Sequence, residues 1–180
     1  MSMNYKPVTM TINGKVHGPI DIPEDLLMID FLHEYVALTG SRMGCGQGIC
    51  HACVLIVDHP SGVSEEVRTC ITGAHFFDGK KIRTVEGAAS IEGDTVTLSN
   101  IQRAFVDHFS FQCGYCAPGF VNAATVFAEK LMREPILESE LEDAIVEALN
   151  NHICRCTGYV RYYQAVKEVI LKTPGLIKGA

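Results

Sequence analysis

Basic charge is scarce in this chain. Its 180 residues carry 15 Lys and Arg against 21 Asp and Glu, a formal net charge of −6. No basic stripe forms along the sequence, which argues against a nucleic-acid partner, because phosphate binding needs clustered cations. Long apolar runs are missing too. The longest, "ACVLIV", has the length of a buried strand and falls far short of the ~20 residues that span a bilayer, so no direct membrane span is expected. The opening "MSMNYKPVTM" lacks the basic region and apolar stretch of a secretory signal, and the expected compartment is the cytoplasm. There are no internal repeats and no low-complexity tracts. No nucleophile or acid–base constellation stands out either, so no catalytic residue is assigned. Glu138, Glu140, Glu142 and Asp143 crowd a helix start, where carboxylates suit the dipole, and read as a solvated face.

Cysteine, by contrast, is abundant: there are eight. Reducing compartments keep thiols free, so a disulfide framework does not suit a chain of this length. The eight fall into two groups, one in each half, and grouping favours metal. The composition, 47% hydrophobic and 20% charged, supports a packed core around them.

Periodicity places these groups on a frame. "PVTMTI" (7–12) alternates like a strand, Asn13-Gly14 signals a hairpin, and Lys15 to Ile22 returns as its partner. Pro23 opens a predicted helix with Leu26, Leu27, Phe31, Leu32 and Tyr35 on its apolar face. A cysteine loop follows, then a strand at Val54 to Val57, a polar loop to Cys70 and a short strand from Lys81 to Thr84. This describes a small mixed α/β domain over residues 1–86, with "GAASIEGD" (87–94) as linker. Residues 95–172 read as four helices in an all-α bundle, and 173–180 as a loose tail. The helical stripes are Ile101, Ala104, Phe105 and Phe109; then Phe120, Ala124, Phe127, Ala128 and Leu131; then Leu141, Ile145 and Leu149 behind a Ser139/Glu142 capping box; then Tyr163, Val166, Val169 and Ile170.

Cys45, Cys50 and Cys53 have the spacing C-x4-C-x2-C, and Cys70 is the only later cysteine in this half. That is the plant-type [2Fe–2S] pattern. Four thiolates make such a cluster anionic, so it needs backbone N–H groups aimed at its sulfurs. Gly44, Gly46 and Gly48 are placed to supply that backbone, and Arg42 adds charge nearby. Zinc is the competing reading, but it usually takes two separate knuckles. His51, between Cys50 and Cys53, could belong to a Rieske centre; with four cysteines present, a loop residue beside the cluster is the simpler reading.

The second group is "FQCGYCAPGF", with Cys113 and Cys116, and "HICRCTGY", with Cys154 and Cys156. The 37 residues between the pairs read as two helices, so both pairs sit at helix ends and can converge across a bundle. Pro118 suits the first helical turn, where its missing N–H costs nothing. Arg155 can offset negative charge between the thiolates. A zinc knuckle remains open here on residue types alone.

"GCGQGIC-AC" followed by "QCGYC-PG" and "CRCTGY" resembles the iron–sulfur subunit of the molybdenum hydroxylases, the xanthine oxidase and aldehyde oxidoreductase family, from about Thr9 to Leu171. The resemblance implies an α+β chain. Its N-terminal domain is a β-grasp, plant-type ferredoxin-like fold and its second domain a four-helix bundle, with one [2Fe–2S] cluster in each. It implies ligation by Cys45, Cys50, Cys53 and Cys70, and by Cys113, Cys116, Cys154 and Cys156. It places the helical-domain cluster beside a molybdopterin cofactor held by a large partner subunit, with Gln112 hydrogen-bonding the pterin and Cys156 touching it. Electrons would leave through the N-terminal cluster to an FAD subunit or a cytochrome c. A partner bearing an export signal would carry this chain to the periplasm.

The sequence departs from that family in two places. His51 stands where glycine is usual, and the stretch from Cys53 to Cys70, containing "DHPSGVSEEVRT", is longer and more acidic, with Glu65 and Glu66. Both flank the first cluster, on the side where the acceptor is expected. Three functions compete: an electron-transfer subunit of a hydroxylase for aldehydes or N-heterocycles, a free-standing two-cluster ferredoxin, and a zinc-stabilised interaction module.

Overall fold

The computed structural model describes residues 4–179. Strands β1 (Tyr5–Ile12) and β2 (Lys15–Pro23) form an antiparallel hairpin. Its turn residues Asn13 and Gly14 have φ of 50° and 80°, the left-handed conformation a type I′ turn requires. Strands β3 (Val54–Asp58), β4 (Ser64–Arg68) and β5 (Lys81–Arg83) complete a five-stranded sheet ordered β2-β1-β5-β3-β4. β1 and β5 run parallel, and the remaining neighbours antiparallel. Val8, Met10 and Ile12 alternate inward along β1, as a period of two demands, and bury with Leu55, Val57, Phe77 and Ile82 against Met28, Phe31 and Leu32.

The covering helix is shorter and later than its sequence suggests. Pro23 ends β2 instead of opening a helix, and Leu26 N–H closes a turn on Pro23 O. Leu27 stays extended, bridging Gly73, so α1 spans only Met28–Asp30 before Phe31–Tyr35 winds as a π-helical turn. The polar loop expected before Cys70 contains β4, an edge strand paired along its length with β3. Its charged sequence SEEVR hides the strand pattern but suits an edge, where charge discourages pairing with other chains. The linker also has structure: β6 (Ser90–Glu92) and β7 (Thr95–Thr97) make a small exposed hairpin that reaches past residue 94.

Four α-helices follow: α2 (Asn100–Asp107), α3 (Ala117–Arg133), α4 (Leu141–Leu149) and α5 (Val160–Lys172). They bury a second set of side chains, including Phe105, Phe120, Phe127, Ile145, Tyr162 and Val166. Each such large apolar side chain contributes about 1.5–3 kcal/mol on burial. At its centre Phe120 and Tyr162 stack with centroids 4.0 Å apart. Three expectations shift here. Tyr162, not Tyr163, is the fully buried ring of α5. Phe109 lies beyond the end of α2 in a left-handed conformation and is 72% exposed. The capping box forms at Ser99 and Gln102, each side chain bonding the other's backbone N–H, whereas Glu142 pairs with Lys167 and leaves Ser139 out. The tail is not loose: Leu176 and Ile177 are buried, and Lys178 N–H donates to Ile136 O.

Helix α3 lies along β3 and β4, so the two cores share a wall. Buried Asn122 donates to Val54 O at 2.8 Å. No helix among the described residues is long and apolar enough to cross a membrane.

Candidate metal centres

The first cysteine loop is shaped around sulfur. Gln47, Ile49 and Cys50 aim their N–H groups at Cys45 Sγ, at 3.3, 3.4 and 3.4 Å. Positive φ at Gly46 and Gly48 (64° and 70°) turns the backbone this way, and a Cβ on Gly44 would sit 2.9 Å from Cys50 Sγ. These donors, Cys50 N–H first and Gln47 N–H next, draw the Cys45 thiol down to about 6. Burial, followed by the Cys53 thiol, pushes Cys70 up to about 11. The thiols interact in two pairs, Cys45 with Cys50 and Cys53 with Cys70, and Cys45 also acts on Cys70. Cys53 and Cys70 are buried beside Ile29, while Cys45 and Cys50 are half-buried.

The second set converges as helix ends allow. Cys113 and Cys116 precede α3, and Cys154 and Cys156 lie between α4 and α5. Cys113 and Cys156 are exposed with sulfurs 3.6 Å apart. Cys116 interacts with Cys154, and burial pushes Cys116 up to about 12. Burial opposes the Cys154 thiolate as well, but the Thr157 hydroxyl, 3.1 Å from its sulfur, helps to outweigh it and lowers the thiol. Tyr162 hydroxyl lies 3.5 Å from Cys116 Sγ, and Cys154 N–H donates to Tyr159 Oη at 3.2 Å. Gln112 and Arg155 are exposed next to this exposed thiol pair.

Each half of the molecule thus gathers four thiols as two pairs. A [2Fe–2S] cluster takes four thiolates, two on each iron, so both sets fit that group. N–H donors trained on sulfur in the first set fit an anion. Three of these thiols come from one glycine-rich loop, which suits an iron–sulfur cluster better than the two separate knuckles zinc usually takes.

The two sets are joined through the backbone: Ile153 N–H donates to Cys50 O at 3.1 Å. Supporting residues that the sequence did not single out surround them. Arg68 donates to Gly48 O, buried Thr69 to Cys53 O at 2.8 Å, and Tyr115 to Met43 O at 2.8 Å. The readable signal was proximity: each stands within two residues of a cysteine or of the cysteine loop.

His51 has φ of 57°, a conformation natural to the glycine expected there. Its ring meets His152 edge to face, and burial, then His152, lowers its basicity. The acidic insertion finds partners on both sides. Glu65 pairs with His59, and Glu66 turns toward His152 of the helical half.

Gly119 sets the approach of α3 to the first loop. A Cβ there would lie 2.3 Å from His51 O and 3.2 Å from Ala52 Cα, both backbone atoms that cannot step aside cheaply. Gly119→Ala is expected to cost about 1–3 kcal/mol by overpacking, measured as a lowered midpoint in urea unfolding. A wild-type midpoint would show that the helix and loop separate freely.

Residues 84–167 match the family model described as a [2Fe-2S] binding domain. The small subunit of nicotine 6-hydroxylase from Paenarthrobacter nicotinovorans is 37% identical over 94% of this chain and 90% of its own length. A subunit of a probable xanthine dehydrogenase from Bacillus subtilis is 36% identical, over 83% of this chain and 77% of its own length. Quinoline 2-oxidoreductase from Pseudomonas putida 86 superimposes with a TM-score of 0.76 at 30% identity, covering 96% of this chain and 93% of the matched chain. The aldehyde oxidoreductase from Desulfovibrio gigas superimposes at 0.75 and 30% identity; there the match takes up 18% of a much longer chain. With this span of likeness, the chain belongs to the iron–sulfur small subunits of the molybdenum hydroxylases.

Proposed function

We propose that this chain is the electron-transfer subunit of a hydroxylase whose large subunit holds a molybdopterin cofactor and oxidises an aldehyde or an N-heterocycle. Cys45, Cys50, Cys53 and Cys70 would hold one [2Fe–2S] cluster and Cys113, Cys116, Cys154 and Cys156 another. When bound, these groups supply single-electron transfer. The chain's own residues position them and tune them by hydrogen bonds, charge and burial.

The observation that carries this reading is the convergence of all eight thiols into two pair-of-pairs sets bridged by Ile153 N–H and Cys50 O. Exposure gives the arrangement a direction. Cys113 and Cys156 open to the surface beside Gln112, suiting contact with a pterin on a partner, with Gln112 donating or accepting a hydrogen bond there. Cys116 and Cys154 are more enclosed, and Ile153, next to Cys154, bonds Cys50 O. The two buried cores support a division into a β-grasp, ferredoxin-like domain at 1–86, a linker at 87–94 and a four-helix bundle at 95–172, with Leu176 and Ile177 packed on the helical core. The acceptor would be an FAD subunit or a cytochrome c, docking where Gln47, Ile49 and Ile71 are exposed around the first set. The nicotine, xanthine, quinoline and aldehyde enzymes among its relatives agree with both substrate classes.

Affinity isolation of the tagged chain from its native host tests this. A red-brown complex containing molybdenum and a large subunit is expected. Isolation of the chain alone as a working electron carrier would replace this reading with a free-standing ferredoxin, and a colourless zinc protein would remove both. Within the complex, Gln112→Ala is expected to leave iron content and cluster absorption unchanged while turnover drops about 10-fold or more. Unchanged turnover would remove Gln112 from the pterin contact.

A further inference from the structure

Outside the two thiol sets, three side chains from separate parts of the fold meet. His51 comes from the first cysteine loop, Glu66 from β4, and His152 from the turn after α4. Each presents one donor atom within 4.8 Å of the others. His152 Nε2 lies 2.9 Å from Glu66 Oε2, and the two imidazole centroids are 5.1 Å apart. His152 is only 2% exposed and Glu66 25%, so the group is screened but touches solvent through the carboxylate.

A histidine–glutamate hydrogen bond beside a packed ring is the plainer account of these contacts. It leaves too much unexplained. Nδ1 of His51 and Nδ1 of His152 are both buried and have no hydrogen-bond partner. Buried imidazole nitrogens are normally satisfied, because losing water without replacement is costly. Here one nitrogen of each ring is left open beside the same carboxylate, which His152 meets through Nε2. His51 also holds a left-handed backbone, sparsely populated for a side-chain-bearing residue.

We propose that His51, Glu66 and His152 form a binding site for one divalent first-row transition ion, with zinc the best match. Two imidazoles and a carboxylate are a known zinc donor set, and water fills the fourth position. Bonds of about 2.0–2.1 Å set ligand atoms about 3.3 Å apart in a tetrahedron, so Glu66 and His152 part slightly while His51 closes in. The ion is redox-inert. It acts as a clamp that ties the loop next to Cys50, the strand leading to Cys70 and the turn leading to Cys154. The first and last of these are also joined by the Ile153–Cys50 bond. It would thereby fix the spacing between the two thiol sets. The site does not depend on what those thiols hold.

The test uses the full chain with its native iron, depleted of loosely bound metal and titrated with Zn²⁺ alone. About one zinc per chain is expected to bind with iron content unchanged. X-ray absorption at the zinc edge should show only nitrogen and oxygen neighbours, with imidazole scattering. His51→Gly and Glu66→Gln should each weaken binding at least about 10-fold with the visible spectrum preserved. Sulfur in the zinc shell, iron lost as zinc enters, binding indifferent to both substitutions, or no zinc retained by the wild-type chain would each overturn the site. The absorption measurement on wild-type protein stands even if a substituted chain fails to fold.

Discussion

Cys70→Ala is expected to lower the iron content from about four to about two atoms per chain and to remove one of two electron paramagnetic resonance signals from the reduced protein. The argument rests on pairing and place. Cys70 is 3% exposed, packs with Cys53 and Ile29, and has Cys53 as its immediate thiol neighbour. Cys45 and Cys50 form the other pair of that set, and the remaining four cysteines converge in the helical half. Cys53 and Cys70 would hold one iron between them, and in the variant Cys53 would have no second thiol beside it. Burial has already pushed the Cys70 thiol up to about 11, so a thiolate there would need a cation to hold it. Turnover with the native acceptor should fall about 100-fold or more, because a lost ligand costs more than a lost supporting contact. Cys70→Ser, keeping an oxygen donor, should fall between. Full iron and both signals in Cys70→Ala would mean that another side chain completes the set, and Cys70 would drop out as a ligand.

Much of this centre was legible in the sequence, because cysteine spacing is local and glycine marks where backbone must approach sulfur. The hairpin at Asn13-Gly14 and helices α3, α4 and α5 were legible for the same reason. What stayed hidden depends on distant partners. SEEVR becomes a strand only because β3 offers it a ladder, and "KTPGLIKGA" is ordered only because Ile136 and the helical core receive Ile177. Glu66 read only as part of an acidic loop flanking the first cluster. Its partner, His152, is 86 positions away. Ser139 carried a capping pattern as good as that of Ser99, but Lys167 on α5 claimed the Glu142 carboxylate. In each case a tertiary contact outweighed a local preference worth about 1 kcal/mol.

Arg83→Met is expected to destabilise the chain by about 2–4 kcal/mol at neutral pH, read from chemical unfolding. Arg83 ends β5 and holds two carboxylates at once. Its guanidinium donates to Asp58 at 2.7 and 2.9 Å and to Glu129 of α3 at 2.7 and 3.0 Å, and also to Ser64 Oγ at 3.1 Å. It therefore fastens three strands of the sheet to the helix. The three charged side chains are 27–34% exposed, too enclosed to count as a surface pair and too open for the full cost of a buried one. Methionine keeps the stem's packing but leaves two half-buried carboxylates facing each other without a cation. The pH dependence separates this from a packing defect. Burial pushes the Glu129 carboxyl up, yet the Arg83 and Ser64 bonds and the Arg83 charge overcome it and hold it below the usual carboxylate value. A depressed folded value means that this stabilisation is complete above the unfolded carboxylate range and lost as pH falls through the folded value. Without Arg83, only the Ser64 bond and the Arg133 charge oppose burial, so the depression shrinks and this pH-dependent stabilisation is largely lost. The gap between wild type and variant should accordingly be widest near neutrality and shrink toward pH ~4. A gap that stays constant across that range would show that Arg83 contributes through its hydrocarbon stem, and that the sheet and the helices are held together by Asn122 and the apolar wall instead.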